Sequence, residues 1–179
     1  MDGKAFKALK ATYAQAMEAL YLACIVVSAT ALVAITLVIP YGVFMRYVLN
    51  SPASWPEPFS VLAMVLFSFI GGAAAFRANA HICVQMLTDA VPPKVRGWLL
   101  KVADATMVAT ALFMLVFGVQ LVRVTWGQTI GEFPSLSVGV TYLPIPLGGL
   151  ITLLFIIERL WLGPPPPESL MHRDQPLAE

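Results

Sequence analysis

Long apolar runs without a charged side chain dominate the pattern of this chain. The four runs are Ala19–Met45, Pro58–Phe76, Ala105–Val122 and Phe133–Ile157. A helix needs about 17–25 apolar residues to cross a bilayer, and each run is long enough. Backbone polar groups in lipid must be paired within the segment, and the runs lack the alternating polarity of barrel strands. The pattern therefore predicts an all-α integral membrane protein with four transmembrane helices.

The chain divides into one membrane domain and one tail. Residues 1–163 are predicted to form a single four-helix membrane domain. Its predicted spans are at about 19–45, 58–76, 99–122 and 137–160. The run Pro164–Pro167 stops the last helix, since proline cannot continue it. Residues 164–179 contain little to bury and are predicted to form a proline-rich, disordered tail.

Prolines interrupt two of the predicted helices. Pro40 predicts a kink or a local break towards the outer end of the first span. Pro144 and Pro146, followed by Gly148 and Gly149, must disturb the fourth span, because each proline removes a backbone donor. The carbonyls freed in this way need protein partners at that depth, which favours a chain that works within a complex.

The distribution of basic residues predicts the orientation in the membrane. Nine of the eleven lysines and arginines lie before the first apolar run, between the second and third runs, or after the fourth run. Arg46 and Arg123 lie on the other side. Because cytoplasmic segments carry the excess of Lys and Arg, both termini are predicted to be cytoplasmic.

The segment before the first span has an amphipathic pattern. Phe6, Leu9, Tyr13, Met17 and Leu20 recur every three or four residues and fall on one face of a helix. This favours an N-terminal amphipathic helix that lies on the cytoplasmic membrane surface and leads into the first span. A first span that simply extends into the cytoplasm explains the pattern equally well.

Composition narrows the classes of function. Apolar residues make up 59% of the 179 residues and charged residues 12%, against about 25% charged in a soluble domain, and the mean hydropathy is +0.80. A water-soluble globule of this composition would expose large apolar patches, so the bilayer is the expected surroundings. The net charge of +1 gives no basic field for nucleic acid.

Residues able to do chemistry are few and lie outside the centres of the spans. Glu18, Glu57 and Glu158 are at span boundaries, and Asp104 is three residues from Lys101, a spacing that allows an ion pair on one helix face. His81 and His172, the only histidines, fall outside the spans, and the two cysteines are far apart. No nucleophile–base pair or metal motif can be named. The chain is therefore predicted not to be an enzyme, and to hold no cofactor or metal.

Contact with other helices remains the candidate activity. Ser68, Gly71, Gly72 and Ala75 form a narrow strip of small residues on the second span, and small residues let two helix backbones approach closely in lipid. The strip serves either packing within this chain or docking onto a separate subunit.

Three motifs follow one another along the second span and its ends: Trp55-x-Glu57, then Gly71-Gly72-x-x-x-Phe76-Arg77, then His81-Ile82. In these motifs the chain resembles the small membrane subunit of tripartite ATP-independent periplasmic (TRAP) transporters, the DctQ-like family. A Tyr-Leu-x-x-Pro sequence at Tyr142, the length and the four spans are also similar, over about residues 15–162. The family often has two adjacent acids after the tryptophan and an acid after His-Ile, whereas Pro58 and Gln85 stand there in this chain.

The resemblance implies a small scaffold subunit of a sodium-coupled transporter for an organic anion, a carboxylate or a sugar acid, in the bacterial inner membrane. The implied partners are a large polytopic membrane subunit, which holds the sodium and substrate sites, and a periplasmic substrate-binding protein. Arg77 and His81 join the strip as subunit-interface candidates, with Arg77 either pairing with a group of the large subunit or reaching to lipid phosphates. Trp55 and Glu57 are candidates for contacts on the periplasmic side.

Two other functions compete with the scaffold subunit. A membrane-anchor subunit of a redox complex would need polar residues facing a quinone or haem, for which His81 is the sole weak candidate. A stand-alone exporter would be expected to hold an ionisable residue within the membrane.

Overall fold

A computed structural model describes residues 3–78, 92–131 and 133–162. In chain order its elements are α1 (Gly3–Tyr47), α2 (Pro56–Arg77), α3 (Pro93–Thr125), β1 (Thr129–Ile130), β2 (Phe133–Ser137), α4 (Val138–Tyr142) and α5 (Pro144–Leu162). Within the described part, four helical segments are long and apolar enough to cross a membrane. The predicted four-helix membrane architecture is thus confirmed. The predicted tail and the connection that contains His81 lie outside the described residues.

The first helix is a single element of 45 residues, about 68 Å long. The structure has no separate surface helix within Gly3–Tyr47, so the continuous-helix alternative describes this segment. The physical reason is that its apolar face packs on protein. Met17 and Tyr21 are buried in the same cluster as Phe155 of α5, and the Tyr13 hydroxyl donates to the Leu154 carbonyl at 3.3 Å.

The helix also continues through Pro40 to Tyr47, so the local break expected there does not occur. A break does occur in the fourth span, as its prolines predict. Leu143 separates α4 from α5, and the Ser137 side chain caps the start of α4 by accepting from the Gly139 amide at 3.0 Å. The fourth span therefore crosses as two consecutive helical pieces.

A short antiparallel hairpin of β1 and β2 precedes the fourth span. Phe133–Ser137 begin the fourth apolar run, from which a span at about 137–160 was predicted, and in the structure they are not helical. These residues pair with Thr129–Ile130 instead, and at the open end of the hairpin the Val138 amide donates to the Gln128 carbonyl at 2.8 Å. The helical part of the run begins at Val138.

The fourth span is the centre of the fold. Helix α5 packs against both α2 and α3, and α1 packs mainly against α2. Two adjacent glycines make this possible, because a Cβ at Gly148 would lie 2.8 Å from the Phe69 carbonyl oxygen of α2. A Cβ at Gly149 would lie 2.9 Å from the Ala111 carbonyl oxygen of α3. The glycines that follow the prolines thus form the crossing point of three helix backbones.

We expect Gly148→Val and Gly149→Val each to destabilise the chain by about 1–3 kcal/mol, since the added side chain forces two backbones apart. Gly72→Val is the matched control, because a Cβ there meets nothing within 4 Å. The measurement is thermal unfolding of the purified chain in mild detergent, followed by circular dichroism. Unfolding midpoints that match the control would show that the crossing point tolerates side chains.

Candidate subunit interface

The helix bundle has two ends, the termini side and the hairpin side. The termini side holds the start of α1 and α3 and the ends of α2 and α5. The hairpin side holds the β1–β2 hairpin and the connection between α1 and α2. Five of the predicted interface residues lie along α2 between these two ends: Ser68, Gly71, Gly72, Ala75 and Arg77.

A cluster of three charged side chains joins three helices on the termini side. Arg77, the last residue of α2, forms a two-pronged ion pair with Glu158 of α5, with Nε to Oε2 and Nη2 to Oε1 both at 2.8 Å. Its Nη1 donates to Oε2 of Glu18 on α1 at 2.6 Å. All three guanidinium nitrogens therefore contact carboxylates of the chain itself. We call these three residues the Arg77 cluster.

Aromatic rings enclose the Arg77 guanidinium. Its central carbon lies 5.0 Å from the centre of the Tyr21 ring and 5.5 Å from that of Phe155. These are the two largest fully buried side chains among the described residues. Ring faces attract a cation, more strongly where water is absent. The rings thus exclude solvent from the ion pair and stabilise its positive charge.

Burial makes this pair costly to break. The side chains of Arg77 and Glu158 are each 6% exposed, whereas that of Glu18 is 40% exposed. Removing one partner of a buried pair leaves a desolvated charge without a counter-ion, at a cost of about 3–5 kcal/mol. The pair with Glu158 is therefore the strong member of the cluster, and Glu18 forms its solvated edge.

The structure gives Arg77 a role that the sequence analysis missed. Both expected roles, pairing with another subunit or reaching to lipid phosphates, require an outward guanidinium, and this one is buried. Arg77 is 59 positions from Glu18 and 81 positions from Glu158 in the sequence. The signal that would have found them is topological. With both termini on one side, the start of span one and the ends of spans two and four come to the same level.

The small-residue strip divides into an inner and an outer part. Gly71 faces α1, where a Cβ would lie 3.2 Å from the Ser28 Oγ. Gly72 and Ser68 face outward and are exposed, and Ala75 is half-buried. Of the two roles open to the strip, Gly71 has the packing role, and the surface of Ser68 and Gly72 is available to another subunit. We call this surface the outer strip.

The candidates on the hairpin side are close to the surface. The Trp55 ring lies 5.7 Å from that of Tyr41 and 6.2 Å from that of Phe59, so its own chain holds it in place. Glu57 is exposed in the first turn of α2. His81 lies outside the described residues, so its place in the interface stays a prediction.

A second, weaker ionic contact lies near the Arg77 cluster. Asp104 of α3 is 3.8 Å from the Nη2 of Arg159 on α5, although its spacing favoured Lys101 as a partner. The two side chains are about one-third exposed, and exposed pairs contribute about 0–1 kcal/mol. Among the described residues no group of three or more His, Cys, Asp and Glu side chains is placed to hold a metal ion.

We expect Arg77→Leu and Glu158→Gln each to lower the free energy of unfolding by about 3–5 kcal/mol, since each leaves a buried charge unpaired. Glu18→Gln should cost no more than about 1 kcal/mol, because Glu18 is partly solvated. Arg123→Leu, an exposed arginine of α3, is the control. The measurement is denaturant unfolding in detergent micelles. Equal losses for Glu18→Gln and Glu158→Gln would contradict the ranking within the cluster.

Comparison with known proteins gives the family. Residues 35–163 match the family described as tripartite ATP-independent periplasmic transporters, DctQ component. A protein of Haemophilus influenzae named as a TRAP transporter small permease is 26% identical over 125 residues, which cover 66% of this chain and 73% of that protein. The sialic acid TRAP transporter small permease protein SiaQ of Vibrio cholerae is 22% identical over 138 residues, 76% of this chain and 78% of its own length. The match covers most of the chain, and the protein therefore belongs to the DctQ family of TRAP transporter small membrane subunits.

Proposed function

We propose that this chain is the fixed scaffold subunit of a sodium-coupled TRAP transporter for an organic anion. Its family consists of transporter subunits, which are not enzymes, and the TRAP system in general includes a large membrane subunit and a substrate-binding protein. The chain packs beside the large subunit and supports the movement by which that subunit carries substrate across the membrane. The family assignment favours this function over a redox membrane anchor.

The observation that carries the scaffold role is the Arg77 cluster. Alternating access requires one part of a transporter to move against a part that stays fixed. The cluster ties α1, α2 and α5 together on one side of the bundle, and the glycine crossing point ties α2, α3 and α5 at mid-depth. A chain braced at two levels moves as one body, which suits the fixed part.

The outer strip is the proposed docking surface for the large subunit. Ser68 and Gly72 are exposed, so their small side chains leave room for another helix backbone to approach. Close backbone packing is a main driver of helix association where lipid removes the hydrophobic effect. The partly buried Ala75 extends the same surface towards the termini side.

The proposed orientation puts the termini side in the cytoplasm of a bacterial inner membrane, following the excess of basic residues there. The hairpin side then faces the periplasm. Trp55, which lies on that side, is a proposed contact for the large subunit or the substrate-binding protein, and Glu57 contributes to the same surface.

The substrate class rests on the relatives. The Vibrio cholerae relative is the small permease of a sialic acid transporter, and sialic acid is a sugar acid. We therefore assign a carboxylate or sugar acid to the complete system. The sodium and substrate sites are assigned to the large subunit, and the small subunit holds no cofactor in this proposal.

We expect Gly72→Leu and Ser68→Leu to reduce co-purification with the large subunit by about tenfold, equivalent to about 1.4 kcal/mol, without unfolding the small subunit. Ala109→Leu, at another exposed small residue, on α3, should leave the complex intact. The measurement is affinity purification of the tagged chain from native membranes, with quantitative mass spectrometry of its partners. Unchanged recovery in both variants would remove the outer strip as the docking surface.

We expect uptake of an organic anion into proteoliposomes to need both membrane subunits, the binding protein and an inward sodium gradient. Each component is omitted in turn, and the sodium gradient is replaced by a potassium gradient of equal size. Uptake that persists without the small subunit would contradict the scaffold role. Uptake that persists without sodium would contradict the coupling ion and leave the family assignment intact.

A further inference from the structure

A groove runs between α1 and α2, along the parts of these helices that are nearest the hairpin side. Its volume is about 440 Å³, within the range of about 300–1,000 Å³ typical of small-molecule sites. The two helices touch along it, since a Cβ at Gly42 would lie 3.0 Å from the Cβ of Pro56. The groove is therefore a shallow crevice on the membrane-facing surface of a helix pair.

The polarity of the groove changes along its length. The lining residues furthest from the hairpin side are apolar, including Ile35, Ile39 and Met64. Arg46 and Glu57 line the end nearest the hairpin side, which we call the mouth. Eleven residues separate Ile35 from Arg46, a distance of about 16 Å along α1. This is about half of the roughly 30 Å hydrocarbon core of a bilayer. The groove thus spans one leaflet, with an apolar floor and a charged mouth.

Aromatic side chains mark the level of the mouth. Tyr47 lines it, and Tyr41 and Trp55 pack together beside it. Tyr and Trp favour the depth of the lipid headgroups. The charges of Arg46 and Glu57 are therefore at headgroup depth, where a phosphate and an amine of a phospholipid also lie.

Among the described residues, the two charges at the mouth have no ion-pair partner. Both side chains are exposed, and across the described ranges neither forms an ion pair within 4.0 Å. An arginine binds phosphate with two parallel hydrogen bonds. A carboxylate accepts hydrogen bonds from a primary ammonium, which a quaternary ammonium cannot donate. A headgroup that carries both phosphate and primary ammonium satisfies both side chains.

We propose that this groove binds a phospholipid of the phosphatidylethanolamine class. One acyl chain lies along the aliphatic floor, the phosphate pairs with Arg46, and the ammonium with Glu57. An apolar helix from another subunit fits the mouth less well, because it would bury both charges without partners. The lipid fills the crevice between α1 and α2 and becomes part of the surface that this end of the chain presents.

The test uses the full chain in complex with its large subunit, purified in mild detergent from membranes that contain phosphatidylethanolamine and phosphatidylglycerol. Native mass spectrometry counts the phospholipids that remain bound. We expect wild type to retain phosphatidylethanolamine, and Arg46→Ala and Glu57→Gln each to reduce that retention by about tenfold, the value of a charge-assisted hydrogen bond. Arg123→Ala is the charge control, because Arg123 is an exposed arginine near the same end of the bundle and lies outside the groove.

A second pair of variants separates shape from charge. Val61→Trp fills the groove without altering its charges and should also reduce retention about tenfold, while Val116→Trp on α3 should not. Both valines are largely exposed, so neither change disturbs the core. Retention that is equal in all variants, or equal for phosphatidylglycerol and phosphatidylethanolamine in wild type, would overturn the proposal. Loss of the large subunit in Glu57→Gln with the lipid count per chain unchanged would also overturn it and assign Glu57 to a protein contact.

Discussion

The two-pronged ion pair between Arg77 and Glu158 is the constraint on which the arrangement of the helices depends. In a membrane protein, apolar contacts alone distinguish poorly between packing inside the protein and contact with lipid, because both surroundings are apolar. A buried guanidinium has fewer acceptable positions, since its charge must meet a carboxylate in a fixed geometry. The pair therefore fixes the register of α2 against α5, and Glu18 adds α1 to the same level.

The glycine crossing point complements this ionic constraint with a steric one. Gly148 and Gly149 follow Pro144 and Pro146 in the first turns of α5, so the closest contacts with α2 and α3 lie next to the interruption between α4 and α5. Close protein neighbours at this depth keep the irregular backbone away from lipid. The glycine crossing point sets how near the helices lie, and the ion pair between Arg77 and Glu158 sets how they are aligned.

Sequence reasoning predicted the coarse architecture and missed the contacts that organise it. The four apolar runs identified the spans because lipid imposes a minimum length, and Pro144 and Pro146 identified the interruption because proline lacks a donor. The hairpin was missed because Phe133 and Leu136 are as apolar as a helix that crosses lipid. The inward position of Gly71 against α1 and the exposure of Gly72 could not be distinguished either, because neighbouring glycines carry no side chain to indicate a face. The cluster of Glu18, Arg77 and Glu158 was within reach once the topology was known, since alternate span ends meet at one level.

The length of α1 ties this chain to the thickness of its membrane. Its uncharged stretch, residues 19–45, is about 40 Å long as a helix, and the hydrocarbon core is about 30 Å thick. A hydrophobic segment longer than the core tilts or thickens the bilayer around it. In a thicker membrane α1 would stand more upright, and because it packs on α2 its change of inclination would be transmitted to the rest of the braced bundle. The inclination of this fixed subunit would thus depend on the thickness of the membrane that also surrounds the moving subunit.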